Sequence, residues 1–370
     1  MLHAYTAQGF LPLSRSFNRG NGETHRLLKK RLRRGLRGRR LLPVVALLAV
    51  VALAGCGSRQ DTLTPKGPQA KDIASLWWWL MGGGFVGLGV VTALLVLAWL
   101  RRGRKGEGRE PGERLGWIVV VTFGIGVMIA GLVVLFVVAD VFVIRHTEAP
   151  AAKSTDLTVR AVGHQWFWEF DYFGGAHRIA TADEMHIPVR TPVLVQATTV
   201  DVIHSFWVPE LNRKIDTIPG KVNAIELYAD RVGRYRGSCN QFCGLQHAHM
   251  SFYVYADPPA KFRAWLARQR KPASAPATAL ARNGERVFMS GPCSSCHTIR
   301  GTHAHGYVGP DLTHLASRTT LAALTIPNRP GDLLGWIRDP QHVKPGNQMP
   351  SSSLSGAQLH AVVAYLEGLK

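Results

Sequence analysis

The sequence predicts a multi-domain membrane protein: a two-helix transmembrane hairpin followed by two domains outside the membrane, the first of them all-β. Three observations predict it. Residues 73–100 and 115–139 contain no charged side chain, and each run exceeds the ~20 residues that a spanning helix needs. Residues 155–256 carry short alternating or β-branched runs separated by Pro, Gly and Asp, the pattern of a sandwich or barrel. Beyond a Pro/Ala-rich stretch at 272–279, a C-x-x-C-H sequence opens a further segment with chemistry of its own.

The charge distribution supports the membrane assignment. Only 18% of the 370 residues are charged, yet the net charge is +20. The densest basic runs, at 29–40 and 101–109, abut apolar segments. A nucleic-acid-binding protein would place such charge on the face of a folded domain, so this placement reads as topology and argues against a nucleic-acid partner. Residues 1–55 combine a basic stretch with the apolar run 41–54 and end Leu-Ala-Gly before Cys56. They read as a secretory signal that resembles the lipoprotein type, in which Cys56 becomes a lipidated N-terminus. Residues 56–72 then form an exported segment.

The spans follow as residues 73–100 and 115–144, with 101–114 as a cytoplasmic loop under the positive-inside rule. Trp77, Trp78, Trp79 and Trp117 suit the interfacial belts. Everything from 145 onward lies on the periplasmic or outer side.

In the β domain, residues 145–257, strands are expected at 157–162, 193–199, 224–228 and 251–255. Its chemistry is concentrated in Cys239, Cys243, His247 and Met250, spaced C-x3-C-x3-H-x2-M. Soft sulfur and imidazole donors suit copper, zinc or iron–sulfur, and the thioether favours copper. A Cys239–Cys243 disulfide is the alternative in an exported domain.

This stretch resembles the binuclear copper (CuA) loop of the cytochrome c oxidase subunit II family. His204, in the motif H-S-F-W-V-P, stands 35 residues before Cys239. D-T-I-P-G at 216–220 and G-H-Q-W-F-W at 163–168 follow the same family's pattern. The resemblance implies a cupredoxin-like fold and a role for each residue. Cys239 and Cys243 bridge two copper ions, His204 and His247 cap one each, and Met250 and the backbone carbonyl of Gln241 are weak ligands. Trp166 is the residue at which electrons arrive, and alternation along a strand would put Trp166 and Trp168 on one face. His164, His177, His186 and His249 are read as non-ligands. Most members of the family have Glu where this chain has Gln241. That Glu also binds magnesium at the interface with subunit I, and an amide brings no charge to such a site.

Residues 258–278 read as a helix and a low-complexity linker, expected to be a flexible tether. In 279–370, Cys293, Cys296 and His297 form the C-x-x-C-H signal for covalent haem, with His297 beneath the iron. The opposite ligand of an electron-transfer haem is usually Met or His. Met349, 52 residues on in a loop ending in Pro, is preferred over Met289, His303, His305, His314, His342 and His360. The G-P-D-L turn at 309–312, with Gly284 and Phe288 against Tyr365 and Leu366, resembles an all-α class I cytochrome c. The five cysteines thus divide among one lipid site, two copper bridges and two haem thioethers.

Taken whole, the mature chain resembles subunit II of caa-type haem-copper oxidases, in which a cytochrome c domain is fused to the copper domain. The resemblance implies electron flow from cytochrome c, or from an upstream complex, through haem c and CuA to subunit I, with subunit III as a further partner. It also implies residence in the bacterial plasma membrane. Two rival readings keep the metals: a copper-bearing nitric oxide reductase subunit, and a lipid-anchored electron carrier outside any oxidase.

Overall fold

The computed structural model describes residues 60–101, 113–149, 157–173 and 178–370. The expected signal segment, Cys56, most of the cytoplasmic loop and His177 lie outside the described residues.

Two long helices come first. α1, Pro68–Arg101, and α2, Gly116–Thr147, are both long and apolar enough to cross a membrane. Their large apolar side chains, from Trp78 and Phe85 to Phe136, face outward, as expected where lipid is the solvent. α2 passes through two π-helical stretches, Val120–Gly126 and Asp140–Ile144. The start of α1 lies on the β domain. Gln69 donates to the Glu226 carboxylate at 2.6 Å, and the Lys66 amide donates to the Glu210 carbonyl at 2.7 Å. Gly67 is required there, because a Cβ would sit 2.4 Å from the Tyr228 carbonyl oxygen.

The β domain is two five-stranded sheets face to face. Its strands are β1 Leu157–His164, β2 Phe167–Tyr172, β3 Ile179–Ala182, β4 Glu184–Pro188, β5 Val193–Thr199, β6 His204–Trp207, β7 Ile215–Thr217, β8 Asn223–Leu227, β9 Gly233–Cys239 and β10 Ser251–Asp257. One sheet runs β3-β2-β1-β5-β8 and the other β4-β10-β9-β6-β7. β1 pairs parallel to β5, with Leu157 opposite Val193, and β4 pairs parallel to β10. Alternate residues of both sheets enter a common core. Trp168, Phe170, Phe206 and Phe252 fill it with ring centroids 4.9–6.4 Å apart. This core lies beneath the end of β9, so the residues after Cys239 leave from a rigid base. α3, Pro259–Gln269, then seals one side, with Trp265 between Tyr172 and His186.

The C-terminal domain is helical, with α4 Ala279–Ser290, α5 Cys293–Cys296, α6 Pro330–Arg338, α7 Pro340–Val343 and α8 Gly356–Leu366. Thr278 caps α4 through the Ala281 amide, and Ser355 with Gln358 forms a capping box on α8, satisfying amides that a helix start leaves open. α4 and α8 cross at Gly284, where a Cβ would lie 1.9 Å from the Ala361 carbonyl oxygen. Phe288 meets Tyr365 edge-on at 6.0 Å beside the crossing.

The segment after α3 is not a free tether at both ends. The Ala273 amide donates to the Arg300 carbonyl at 2.9 Å, and Ala273 packs on the helical core. The helical domain also touches the β domain directly. The Thr319 amide donates to Glu184 at 2.7 Å, and the Ala323 amide donates to Asp183 at 3.2 Å. At this contact three successive residues, Ala322, Ala323 and Leu324, hold φ of 51°, 56° and 66°. For L residues this left-handed backbone costs about 1–2 kcal/mol each.

Candidate metal centres

The first site is assembled at one end of the sandwich. β6 begins with His204, which is fully buried, and β9 ends with Cys239. The chain then loops through Gln241 and Cys243, makes a single 3-10 turn at His247–His249, and returns to β10 through Met250. The loop brings the soft donors together. Cys239 Sγ lies 3.7 Å from Cys243 Sγ and 3.9 Å from His204 Nδ1. Cys243 Sγ lies 3.6 Å from His247 Nδ1 and 3.8 Å from Met250 Sδ. The Gln241 carbonyl is 3.2 Å from Cys239 Sγ.

Both thiols are free, and their separation is far beyond the ~2.05 Å of a disulfide. The hydrogen bond from Cys243 holds Cys239 well below the usual thiol range, at about 4, against the opposing effect of burial, with help from His204. The same bond pushes Cys243 upward. A buried pair in which one sulfur is biased toward the thiolate suits a cation. Two thiolates, two imidazoles, a thioether and a carbonyl match the donor preferences of copper, so the residues present fit the binuclear group.

Asp201 carries weight that sequence reasoning missed. Its Oδ1 is 2.7 Å from His204 Nε2, which leaves Nδ1 turned toward the sulfurs. Burial works against the His204 cation, but the bonds to Asp201 and Cys239 outweigh it and raise its pKa. Asp201 is itself fixed by the Gln165 and Val202 amides, each at 2.6 Å. A carboxylate three residues before an imidazole donor is a legible signal, since ligating histidines commonly hold such a partner. Gly163 gives the ring its room: a Cβ there would be 2.7 Å from His204 Cδ2.

Trp166 is not on a strand with Trp168. It sits in the turn between β1 and β2, half-buried, while Trp168 is wholly buried in the core. The turn releases Trp166 from the alternation and aims its indole at the loop, where Nε1 donates to the Cys243 carbonyl at 2.9 Å. The other histidines find separate partners. His164 stacks on Phe167, and burial lowers its pKa to about 4. His186 pairs with Asp257 at 2.7 Å. His249 Nδ1 contacts Gln246 at 2.9 Å.

The second site lies in the helical domain. α5 holds Cys293 and Cys296 on one short turn, half-buried and unpaired. His297 Nδ1 donates to the Pro310 carbonyl at 2.9 Å, leaving Nε2 for iron, and burial lowers its pKa, which favours the neutral ring. Gly309 shapes the cradle, because a Cβ would lie 2.4 Å from His297 Cε1. These residues fit a covalently held haem. Met349 packs against the helical core, its amide held by Asn347 at 2.8 Å and its carbonyl by Gln341 at 2.9 Å. His303, His305, His342 and His360 are exposed, and His314 contacts the Lys271 carbonyl at 3.1 Å.

A second residue escaped sequence reasoning. Lys344, in the loop before Met349, is only 2% exposed, and nothing in its local pattern marks a buried lysine.

Comparison with known proteins follows the same division. Residues 173–256 match the family described as cytochrome C oxidase subunit II, periplasmic domain, and residues 281–370 match cytochrome c. The cytochrome c oxidase subunit 2 of Alkalihalophilus pseudofirmus is 31% identical over 338 residues, covering 90% of this chain and 97% of its own length. The Bacillus subtilis protein of that name is 28% identical, covering 90% of this chain and 98% of its own. The solved periplasmic domain of subunit II of cytochrome oxidase from Bradyrhizobium japonicum is 32% identical, at a TM-score of 0.31, covering 33% of this chain and 96% of that one. With alignment running through spans, copper loop and haem motif alike, the chain belongs to the cytochrome c oxidase subunit 2 family.

Proposed function

We propose that this chain takes electrons from cytochrome c and delivers them to subunit I of the oxidase through two centres held by its own residues. Cys239 and Cys243 would hold the copper ions through their sulfurs, and His204 and His247 through Nδ1. Met250 and the Gln241 carbonyl would complete the set. Cys293 and Cys296 would bond the haem, and His297 and Met349 would hold its iron. When bound, these groups supply one-electron storage without gain or loss of a proton.

The protein's part is to hold geometry. Asp201 orients His204, Pro310 orients His297, and the buried sandwich core keeps the copper loop from relaxing as charge changes. Trp166, bonded to the Cys243 carbonyl, lies where an electron reaching the loop from outside would cross. Gln241 offers an amide in place of a carboxylate, which weakens a magnesium site at the interface with subunit I. Subunit III is a further partner. The two spans set the chain in the bacterial plasma membrane with both centres on the outer side, and Cys56 takes a lipid as a third anchor.

The observation that carries the reading is the unbroken run of sulfur and nitrogen contacts, 3.6–3.9 Å, linking His204, Cys239, Cys243, His247 and Met250. Cys239→Ser or His204→Ala in the purified oxidase should abolish the near-infrared and paramagnetic copper signals and leave the haem c spectrum intact. Full copper occupancy in either variant would overturn the ligand assignment.

A further inference from the structure

The contact between the two outer domains is built around one ammonium group. Lys344 belongs to the helical domain, five residues before Met349. Its Nζ donates to the Trp166 carbonyl at 2.6 Å, to the His249 carbonyl at 2.9 Å and to the Ala322 carbonyl at 3.3 Å. An ammonium has three protons, and all three are used. Two go to the β domain, one to the Trp166 turn and one to the copper loop itself, and one returns to the helical domain. The head is therefore satisfied only when the two domains are together in this pose.

Neighbouring contacts agree. Gln246, between Cys243 and His247, donates to the Pro345 carbonyl at 2.7 Å. Glu184 accepts from both the amide and the hydroxyl of Thr319, at 2.7 and 2.6 Å. Asp183 accepts from Ala323 in the middle of the left-handed turn, a backbone shape that L residues rarely hold unless their surroundings impose it. Asp183 itself has φ of 59°. Strained backbone on both sides of one contact, meeting through a carboxylate, marks a surface shaped for its partner.

We propose that Lys344 is a positioning residue that locks the cytochrome domain onto the copper domain in one pose, with the Met349 loop seated on the Trp166 turn. The copper domain's Trp166 face is thereby occupied by this chain's own C-terminal domain. Covalent tethering alone would raise the local concentration of the haem domain. The lysine does something further: it selects one orientation, so that transfer between the centres needs no search. The proposal rests on the ligand assignments above for its transfer readout, but not for its docking readout.

The test is hydrogen exchange on the intact holo-oxidase. The Thr319 and Ala323 amides donate across the contact, so their protection reports docking directly. Both should exchange slowly in the wild type. Lys344→Met keeps the stem and removes the donors. It should speed both amides roughly tenfold or more, as the loss of charged hydrogen bonds implies, while the haem and copper spectra stay unchanged. Haem-to-copper transfer after a light pulse should slow by about the same factor. Glu184→Gln, at the rim of the contact, should speed Thr319 and leave both spectra unchanged.

Rapid wild-type exchange at Thr319 and Ala323 overturns the proposal without any variant. So does a Lys344→Met protein with unchanged exchange and transfer. A Lys344→Met protein whose haem loses its sulfur ligand would assign the lysine to the Met349 loop alone, and would also overturn it. Absence of copper or haem signals from the wild type is a different failure and strikes the ligand assignments.

Discussion

Residue spacing set the donors at the copper loop, but the support for those donors is spatial. Cys239, Cys243, His247 and Met250 fall within twelve residues, so their pattern is visible in one dimension. Gly163 supports His204 from β1, in the facing sheet, and only the packing of the two sheets places it there. Gly163→Ala should push the imidazole aside, cost about 1–3 kcal/mol of stability as overpacking does, and lower copper content measured per haem. Full copper content would show that the ring can shift without loss. Gln241→Glu should strengthen binding of manganese used as a paramagnetic probe for magnesium, since a carboxylate is the better ligand for a hard cation. Titration with and without the substitution reads it directly. Trp166 was misplaced by strand alternation because a two-residue turn interrupts the period, and turn position is weakly marked when neither residue is Gly, Asn or Asp.

Among the elements, four of the ten strands were legible as β-branched or alternating runs, whereas β9, whose burial also alternates, carried no such run. The run at 193–199 emerges as β5 with the same bounds, and those at 157–162 and 251–255 only extend further into β1 and β10. The π-helical stretches of α2 have no counterpart in the sequence pattern, since a uniformly apolar run carries no periodicity to break. β2 contains a second hidden feature. Glu169 and Asp171 project toward Arg178, which contacts them at 2.6 and 2.9 Å. Burial raises Glu169 to about 7, with repulsion from Asp171 adding to it, and burial raises Asp171 to about 6. A carboxyl raised in the folded state binds more protons folded than unfolded, so its contribution is present at low pH and lost as pH rises. For Glu169 the window runs from about 4.5 to about 7. The melting temperature of the outer domains should fall between about pH 4.5 and about pH 7, and Glu169→Gln should flatten that fall. A profile unchanged by the substitution would place the titration elsewhere.

At the scale of the whole molecule, the order of parts could be read from composition, but their docking could not. The Pro/Ala stretch suggested a tether free to swing, and low-complexity composition indeed sets no partner. The contact is instead written in isolated residues, Lys344, Thr319 and Ala323 on one side and Asp183 and Glu184 on the other, which share no motif and meet only in three dimensions. Lys344 is 2% exposed, and that seclusion has a kinetic consequence. The arrival of an external cytochrome is a bimolecular encounter between hydrated charges, which dissolved ions screen within about 10 Å at 0.1 M. Passage between two domains already in contact is unimolecular, and ions do not reach the ammonium that aligns them. With scarce donor, added salt should therefore change turnover. With saturating donor, turnover should be indifferent to salt, and a steady-state titration at two ionic strengths should converge on one limiting velocity. Two limiting velocities would mean that the internal step also begins with a diffusional search. The seam between the domains thus divides the oxidase's supply line into a stretch governed by the medium and a stretch governed by the protein alone.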